Sequence, residues 1–184
     1  MLTPKRFRER AARFFLHREP EPERERRGVN LPQAQSVALL YLDTDEQYFK
    51  EIRSLVKEMH DLYGVKKVWA MGYIDAPAKA IPNYQAQKLE YMYFTKSDLN
   101  WHMKPNASLM NFLSEPFDLL IDLSKQPCYP MRYVVKASKS KMKVGTGMAK
   151  ASELYDLCVQ INGVSDNKAV WNTLLHYLTK PNLK

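Results

Sequence analysis

The sequence predicts an α/β fold, a three-layer sandwich in which helices cover both faces of a mostly parallel sheet of about five or six strands. Several apolar runs have strand length and no polar alternation, which is typical of strands buried on both faces. These runs alternate along the chain with segments of helical periodicity, an order that is typical of parallel sheets. A basic N-terminal helix and a charged linker precede this domain.

The predicted elements follow one another in a regular order. The run SVALLYLD opens the domain, and Thr44 then begins a helix, with a Thr-x-x-Gln capping pattern, that ends at Gly64. The remaining strands are predicted at residues 67–75, 89–95, 117–124, 142–145 and 155–162. The remaining helices are predicted at residues 107–113 and 129–140, and from Ser165 to just before Pro181.

Length and composition bound the organisation of the chain. With 184 residues, 45% of them hydrophobic, the sequence predicts one globular domain over residues 31–184. Residues 1–30 are predicted to form a basic amphipathic helix and a proline-rich, charged linker that buries too little surface to fold by itself. No run approaches the ~18 apolar residues of a membrane span, and no secretory signal is found, so we expect a cytoplasmic protein.

Positive charge is concentrated in two segments of the chain, whose net charge is +8. Residues 1–28 hold nine Lys/Arg and five Glu, a net of +4, and residues 125–150 hold seven Lys/Arg and no acid, which leaves −3 for the remainder. Localised positive charge favours an anionic partner, and RNA or a ribonucleoprotein is the partner that we expect. A solvated rim of lysines is the structural alternative. The candidate residues are Arg6, Arg10, Arg13, Arg132, Lys136, Lys139, Lys141 and Lys143.

A second group of candidates follows the predicted strands. In open α/β sheets, ligands bind beyond the carboxyl ends of the strands. This rule selects Asp43, Asp45, Asp75, Asp122 and Ser124 as candidates for a ligand-binding edge. Because aspartates at strand ends also form turns and cap helices, a purely structural role is the simpler interpretation.

Motifs for catalysis and cofactor binding are not found in the sequence. The chain has no G-x-G-x-x-G or G-x-x-x-x-G-K-[ST] motif, and the Gly-x-Gly at residues 145–147 is a weak signal by itself. Cys128 and Cys158 lack the spacing of a zinc site, and no motif ties a histidine to a nucleophile. We therefore expect a non-enzymatic binding module with no metal and no cofactor.

The N-terminal helix is open to two further interpretations. Phe7, Phe14 and Phe15 share an apolar face, and arginines lie on the other faces. Such a helix suits peripheral contact with an anionic membrane, with the phenylalanines among the headgroups, and it also suits a protein partner. The sequence is compatible with a helix that is free in solution and with a helix that packs on the domain.

Four stretches carry a resemblance to a known family. FTKSDLNW, LMNFLSEPFDLLIDLS, VVKASKSKMKVGTG and YDLCVQIN, followed by an amphipathic helix, resemble a family of uncharacterised cytoplasmic proteins from Bacteroidota with a domain of unknown function. The resemblance covers nearly the whole chain, and residues 137–145 are its most specific part. It implies kinship and brings no activity.

Residues 117–123 and 137–145 are also similar to the N-terminal domain of heptosyltransferase-type glycosyltransferases. This similarity implies a Rossmann-like fold. As an alternative function, it implies a degenerate glycosyltransferase-like domain or a domain that binds a nucleotide or a sugar phosphate. The first strand ends Asp43-Thr44-Asp45, whereas those enzymes have a Gly-Asp turn at this point.

Overall fold

One six-stranded sheet organises the protein. The computed structural model describes residues 4–85, 90–146, 152–161 and 166–180. The strand order is β3-β2-β1-β4-β5-β6, and every neighbouring pair is parallel. The strands are β1 Ser36–Asp43, β2 Lys67–Ile74, β3 Tyr91–Thr95, β4 Leu119–Asp122, β5 Met142–Thr146 and β6 Leu157–Val159. This arrangement confirms the predicted α/β class and is Rossmann-like.

Five α-helices accompany the sheet in the described ranges. They are α1 Pro4–Arg18, α2 Glu46–Tyr63, α3 Met110–Ser114, α4 Tyr129–Ala137 and α5 Asn167–Leu178. The predicted end of α2 is confirmed, because Gly64 adopts a left-handed conformation with φ of 67°. The predicted capping pattern at Thr44 is wrong, since the Asp45 side chain accepts the hydrogen bond from the Tyr48 N–H.

Helix α4 ends three residues before its predicted end at residue 140. The hydroxyl groups of Ser138 and Ser140 are buried and 2.7 Å apart, and the Ser138 hydroxyl also accepts the Ser140 N–H. Serine side chains that bond nearby backbone groups in this way compete with helix formation. The two serines therefore turn the chain from α4 into β5.

Each face of the sheet is covered, which explains the uninterrupted apolar runs. Successive residues of a strand point to opposite faces. Leu39 of β1 packs in a core with residues of α2 and α5, whereas its neighbours Ala38 and Leu40 pack in a second core with residues of α3 and α4. Helices on both sides give the three predicted layers.

Helix α1 packs against α4, on the side of α4 away from the sheet. Ala12 and Leu16 are buried against Tyr133, whose hydroxyl donates a 3.0 Å hydrogen bond to the Ala12 carbonyl. The buried ammonium group of Lys136 donates to the carbonyls of Leu16 and His17 at 2.9 and 3.3 Å. Lys136 thereby satisfies carbonyls that the last turn of a helix leaves unpaired.

The charged segment after α1 is fixed to the amino edge of the sheet by Arg24. The Arg24 side chain, 6% exposed, makes a bidentate ion pair with Asp156 at 2.7 and 2.9 Å. It also donates to the carbonyls of Ser140 and Lys141 at 3.1 and 3.0 Å. The segment has no core of its own, so these contacts hold it on the domain.

Candidate functional site

The switch point of the sheet lies between β1 and β4, because the chain continues from these neighbouring strands to opposite sides. Asp43 ends β1 as the sequence predicted, whereas Asp122 ends β4 two residues before the predicted end of that strand. Asp43 shares the sheet face of Leu39, under α2, whereas Asp122 shares the face of Leu120, under α4. The two carboxyl groups therefore do not converge on one site.

Asp122 is buried in a small polar cluster. It accepts a 2.6 Å hydrogen bond from the Tyr155 hydroxyl and a 2.9 Å hydrogen bond from the Ser124 N–H. Burial raises the pKa of Asp122, while these hydrogen bonds and the nearby charge of Arg132 act in the opposite direction. Burial also raises the pKa of the Cys128 thiol to about 12, so this cysteine is a protonated thiol at neutral pH.

The cavity beside Asp122 is very small. It has a volume of about 10 Å³ and is lined by Ser124, Cys128, Arg132, Thr146 and Tyr155, among others. A cavity of this size holds no more than a water molecule. Asp122, the Ser124 N–H and Tyr155 thus form a packed hydrogen-bonded cluster, whereas the buried Ser124 hydroxyl has no hydrogen-bond partner in the described ranges.

Two glycines make room for tyrosine rings on either side of the switch point. A Cβ atom on Gly145 would lie 2.7 Å from ring atoms of Tyr155, and a Cβ atom on Gly72 would lie 2.8 Å from ring atoms of Tyr41. The glycine at position 145, a weak ligand signal in the sequence, therefore has a steric role. Tyr155 carries no motif that could have marked it in advance.

The other aspartates of the predicted edge have local partners. Asp43 is buried and accepts a 3.0 Å hydrogen bond from the Tyr84 hydroxyl; burial raises its pKa. Asp45 caps α2. Asp75 is exposed, accepts the Tyr73 hydroxyl at 3.0 Å and pairs with Lys96 at 3.2 Å. Local contacts therefore account for Asp45 and Asp75, whereas one carboxylate oxygen of the buried Asp43 has no hydrogen-bond partner in the described ranges.

Three lysines of the acid-free segment are engaged within the fold. Lys136 and Lys143 are buried, and the Lys143 ammonium donates to the Lys136 carbonyl at 3.3 Å. Lys141 pairs with Asp118 at 2.9 Å. Lys139 is exposed and lies beside the glutamates of the segment after α1. Sequence reasoning missed these partners because they come from distant parts of the chain.

The face of α1 that is turned away from α4 combines exposed arginines with exposed aromatic rings. Arg6, Arg10 and Arg13 are all exposed. Phe7 and Phe14 are 57% and 50% exposed. Arg18 lies over the Phe14 ring, with its guanidinium carbon 4.0 Å from the ring centre. We call these residues the outer face of α1.

Trp101 extends this surface from the loop after β3. Its ring is 57% exposed and packs edge-on against Phe15 at 5.5 Å. Arg8 donates a 2.9 Å hydrogen bond to the Trp101 carbonyl. The loop and the helix are thereby held together, so the Trp101 ring lies next to α1 and contacts Phe15, which in turn packs edge-on against Phe14 at 5.4 Å.

The described ranges contain neither a metal-binding cluster nor a helix that could span a membrane. No group of three or more His, Cys, Asp or Glu side chains there is placed to hold a metal ion. In the same ranges, no helix has the length and apolar character needed to cross a membrane.

These features define a Rossmann-like α/β domain with a docked basic helix. The chain belongs to a family of unknown function, DUF6913, whose profile matches residues 8–180. The match includes most of α1 and the segment after it, as well as the sheet. No curated protein and no solved structure gives a significant match.

Proposed function

We propose that this protein is a non-enzymatic binding module that docks on single-stranded RNA, free or within a ribonucleoprotein, through the outer face of α1 and Trp101. The observation that carries the proposal is the exposure of Phe7 and Phe14 by half or more beside exposed arginines on the outer face of α1, with the exposed ring of Trp101 next to the same helix. Proteins that bind single strands combine positive charge along the backbone with aromatic rings on which bases stack. The proposal places the protein in the bacterial cytoplasm.

The anchoring of α1 supports a preformed surface. Buried contacts of Ala12, Leu16, Tyr133 and Lys136 hold one side of the helix on the domain, so the opposite side is presented in a fixed orientation. A preformed surface loses less conformational entropy on binding than a free helix does. Of the eight basic candidates, Arg6, Arg10 and Arg13 carry this proposal, because they are the candidates that lie exposed on the outer face of α1.

The test is fluorescence anisotropy with a labelled single-stranded RNA oligonucleotide at increasing salt. We expect affinity to fall linearly on a log–log plot, with a slope of about −0.7 for each phosphate contact. Replacing Arg10 and Arg13 by Gln should make the slope less steep. The matched control replaces two exposed lysines by Gln, Lys57 on α2 and Lys66 just after it. This control should leave the slope unchanged.

The aromatic part of the proposal is tested separately. Phe7→Ser with Phe14→Ser should weaken RNA binding, since stacking contributes about 1–3 kcal/mol per base. Leu62→Ser, at a residue that is 72% exposed on α2, is the control for removal of an exposed apolar side chain. Binding to phosphatidylserine vesicles without binding to RNA would overturn the proposal in favour of peripheral membrane contact.

The sugar-nucleotide alternative has less support. It depends on the ligand-binding edge at Asp122 and Ser124, where the cavity measures about 10 Å³. Nucleotide sites are far larger. We therefore do not assign the glycosyltransferase-like function to that edge.

A further inference from the structure

A second, larger cavity lies between α2 and α5. Its volume is about 320 Å³, within the range of small-molecule sites. Its apolar wall is formed by Leu55, Leu123, Val170 and Trp171. Leu123 directly follows β4, so one end of the cavity reaches the carboxyl edge of the sheet, where Rossmann-like domains bind ligands.

Charges of both signs lie around this apolar wall. Glu51 and Glu58 come from α2, Lys168 comes from α5, and Lys125 comes from the segment after β4. Glu51 is engaged with Asn167, which donates a 2.7 Å hydrogen bond to it and so links the two helices. Within the described ranges, Glu58 and Lys168 form no ion pair with each other or with another residue.

The indole of Trp171 adds an independent observation. Trp171 is 2% exposed, and its buried indole N–H has no hydrogen-bond acceptor in the described part of the chain. A buried donor without an acceptor destabilises the protein, because it has lost its hydrogen bond to water. A ligand that brings an acceptor to the Trp171 side of the cavity, with a small adjustment of the ring, would offset this cost.

We propose that the cavity between α2 and α5 binds a small amphipathic zwitterion, an apolar α-amino acid or a dipeptide with an apolar side chain. The ammonium group of the ligand pairs with Glu58, its carboxylate pairs with Lys168, and its side chain packs on Leu55 and Val170. Each charge left unpaired on the cavity wall then gains a partner of opposite sign.

The charge balance disfavours a phosphorylated ligand. The carboxylates of Glu51, Glu58 and Asp166 line the cavity with the ammonium groups of Lys125 and Lys168, so acids outnumber cations. A doubly charged phosphate would therefore meet net repulsion. The inference is independent of RNA binding, because α1 does not contribute to this cavity.

Ligand-observed NMR on the full chain tests the proposal with four compounds. They are L-phenylalanine, L-leucyl-L-phenylalanine, N-acetyl-L-phenylalanine amide and AMP. We expect saturation transfer to the first two, weaker transfer to the uncharged acetyl amide and none to AMP. Absence of transfer to both zwitterions at millimolar concentration, or equal transfer to AMP, overturns the proposal.

Three substitutions locate the site. Glu58→Gln and Lys168→Gln should each weaken zwitterion binding about tenfold or more, the value expected for loss of a charge-assisted hydrogen bond. Neither side chain is buried, so the melting temperature of the free protein should stay constant. Trp171→Phe keeps an aromatic ring without the N–H and should also weaken binding.

Lys57→Gln, on the exposed surface of α2 away from the cavity lining, is the matched control. It should leave zwitterion affinity unchanged. Zwitterion binding that is insensitive to both Glu58→Gln and Lys168→Gln would place the ligand elsewhere and overturn the assignment.

Discussion

The hydroxyl of Tyr155 donates a 2.6 Å hydrogen bond to the carboxyl group of Asp122, and the Tyr155 ring reaches it by lying against Gly145. Asp122 ends β4, Gly145 is its partner in β5, and Tyr155 lies two residues before β6. One side chain therefore connects three neighbouring strands. It does so at an edge of the sheet where many related folds bind ligands.

The pKa of Asp122 predicts a pH-dependent difference between the wild type and Asp122→Asn. Because burial raises the pKa in the folded state, the wild type loses stability as pH rises from the unfolded pKa through the folded pKa. The amide has no such charge. The free energy of unfolding of Asp122→Asn, minus that of the wild type, should increase as pH rises above the ordinary aspartate pKa of about 4 in urea titrations. A constant difference over this range would contradict a raised pKa.

Gly145→Ala should destabilise the protein by about 1–3 kcal/mol, the usual cost of forcing an extra methyl group into a packed site. The new Cβ would lie 2.7 Å from the Tyr155 ring, so the ring must move away from Asp122. In the double variant with Tyr155→Leu, the two effects should not add, because the clashing ring is absent. Thermal and urea unfolding measure the loss of stability in the single variants and in the double variant. Full additivity would show that the ring does not occupy this position.

Arg24→Ala should destabilise the protein by about 2–3 kcal/mol, since it leaves Asp156 and two backbone carbonyls without a largely buried donor. Arg26→Ala is the matched control. Arg26 pairs with Glu21, but its side chain is 66% exposed, so its loss should cost less than about 0.5 kcal/mol. Equal effects of the two substitutions would refute an anchoring role for Arg24.

The ion pair between Arg24 and Asp156 should make the stability of the protein sensitive to acid. Burial by itself raises the pKa of Asp156, but the hydrogen bonds from Arg24 and from the Lys143 N–H hold it below the usual value. This contribution to stability is present above the unfolded pKa and is lost as pH falls through the folded pKa. Arg24→Ala should therefore lose less stability on acidification than the wild type, as measured by urea unfolding at each pH.

Lys136→Met should release α1 while the sheet stays folded. The ammonium group of Lys136 caps the carbonyls of Leu16 and His17, and the methionine side chain of similar length cannot donate to them. Hydrogen exchange should become faster in α1 and stay slow in β1 and β4. Lys139→Met, at an exposed residue on the same segment, is the control. Unchanged exchange in α1 would show that Lys136 does not hold the helix.

The buried side chain of Lys143 should change the free energy of unfolding at alkaline pH. Burial, with Arg24 nearby, lowers the pKa of Lys143 from 10.5 to about 8. The folded state then binds fewer protons than the unfolded state between these two values, so the wild type gains stability as pH rises through them. Lys143→Met should lack this gain. Parallel slopes for the two proteins above pH 8 would exclude the shift.

The strands and helices could be predicted because their signals are local. The run SVALLYLD forms β1 as predicted, since each of its faces is covered by helices. The cap of α2 was misplaced by one residue, because the Asp45 carboxylate accepts the Tyr48 N–H while the Thr44 hydroxyl donates to Asp45. Side chains alternate between the two faces along each strand, and this alternation places Asp43 and Asp122 on opposite faces. The comparison between two strands requires the register of β1 with β4, which only the tertiary structure provides.

The sequence by itself determined the fold class, the order of the elements and the total charge, because periodicity and apolar run length depend on neighbouring residues. The tertiary structure decided which charges face solvent. Arg24 meets Asp156 across 132 residues, and Lys136 meets Leu16 across 120. A charge count along the chain cannot contain such contacts, since burial and ion pairing depend on distances in space. In the described part of the acid-free segment, Lys136 and Lys143 therefore lie in the interior and Lys141 pairs with Asp118, whereas Arg6, Arg10 and Arg13 on the outer face of α1 are exposed.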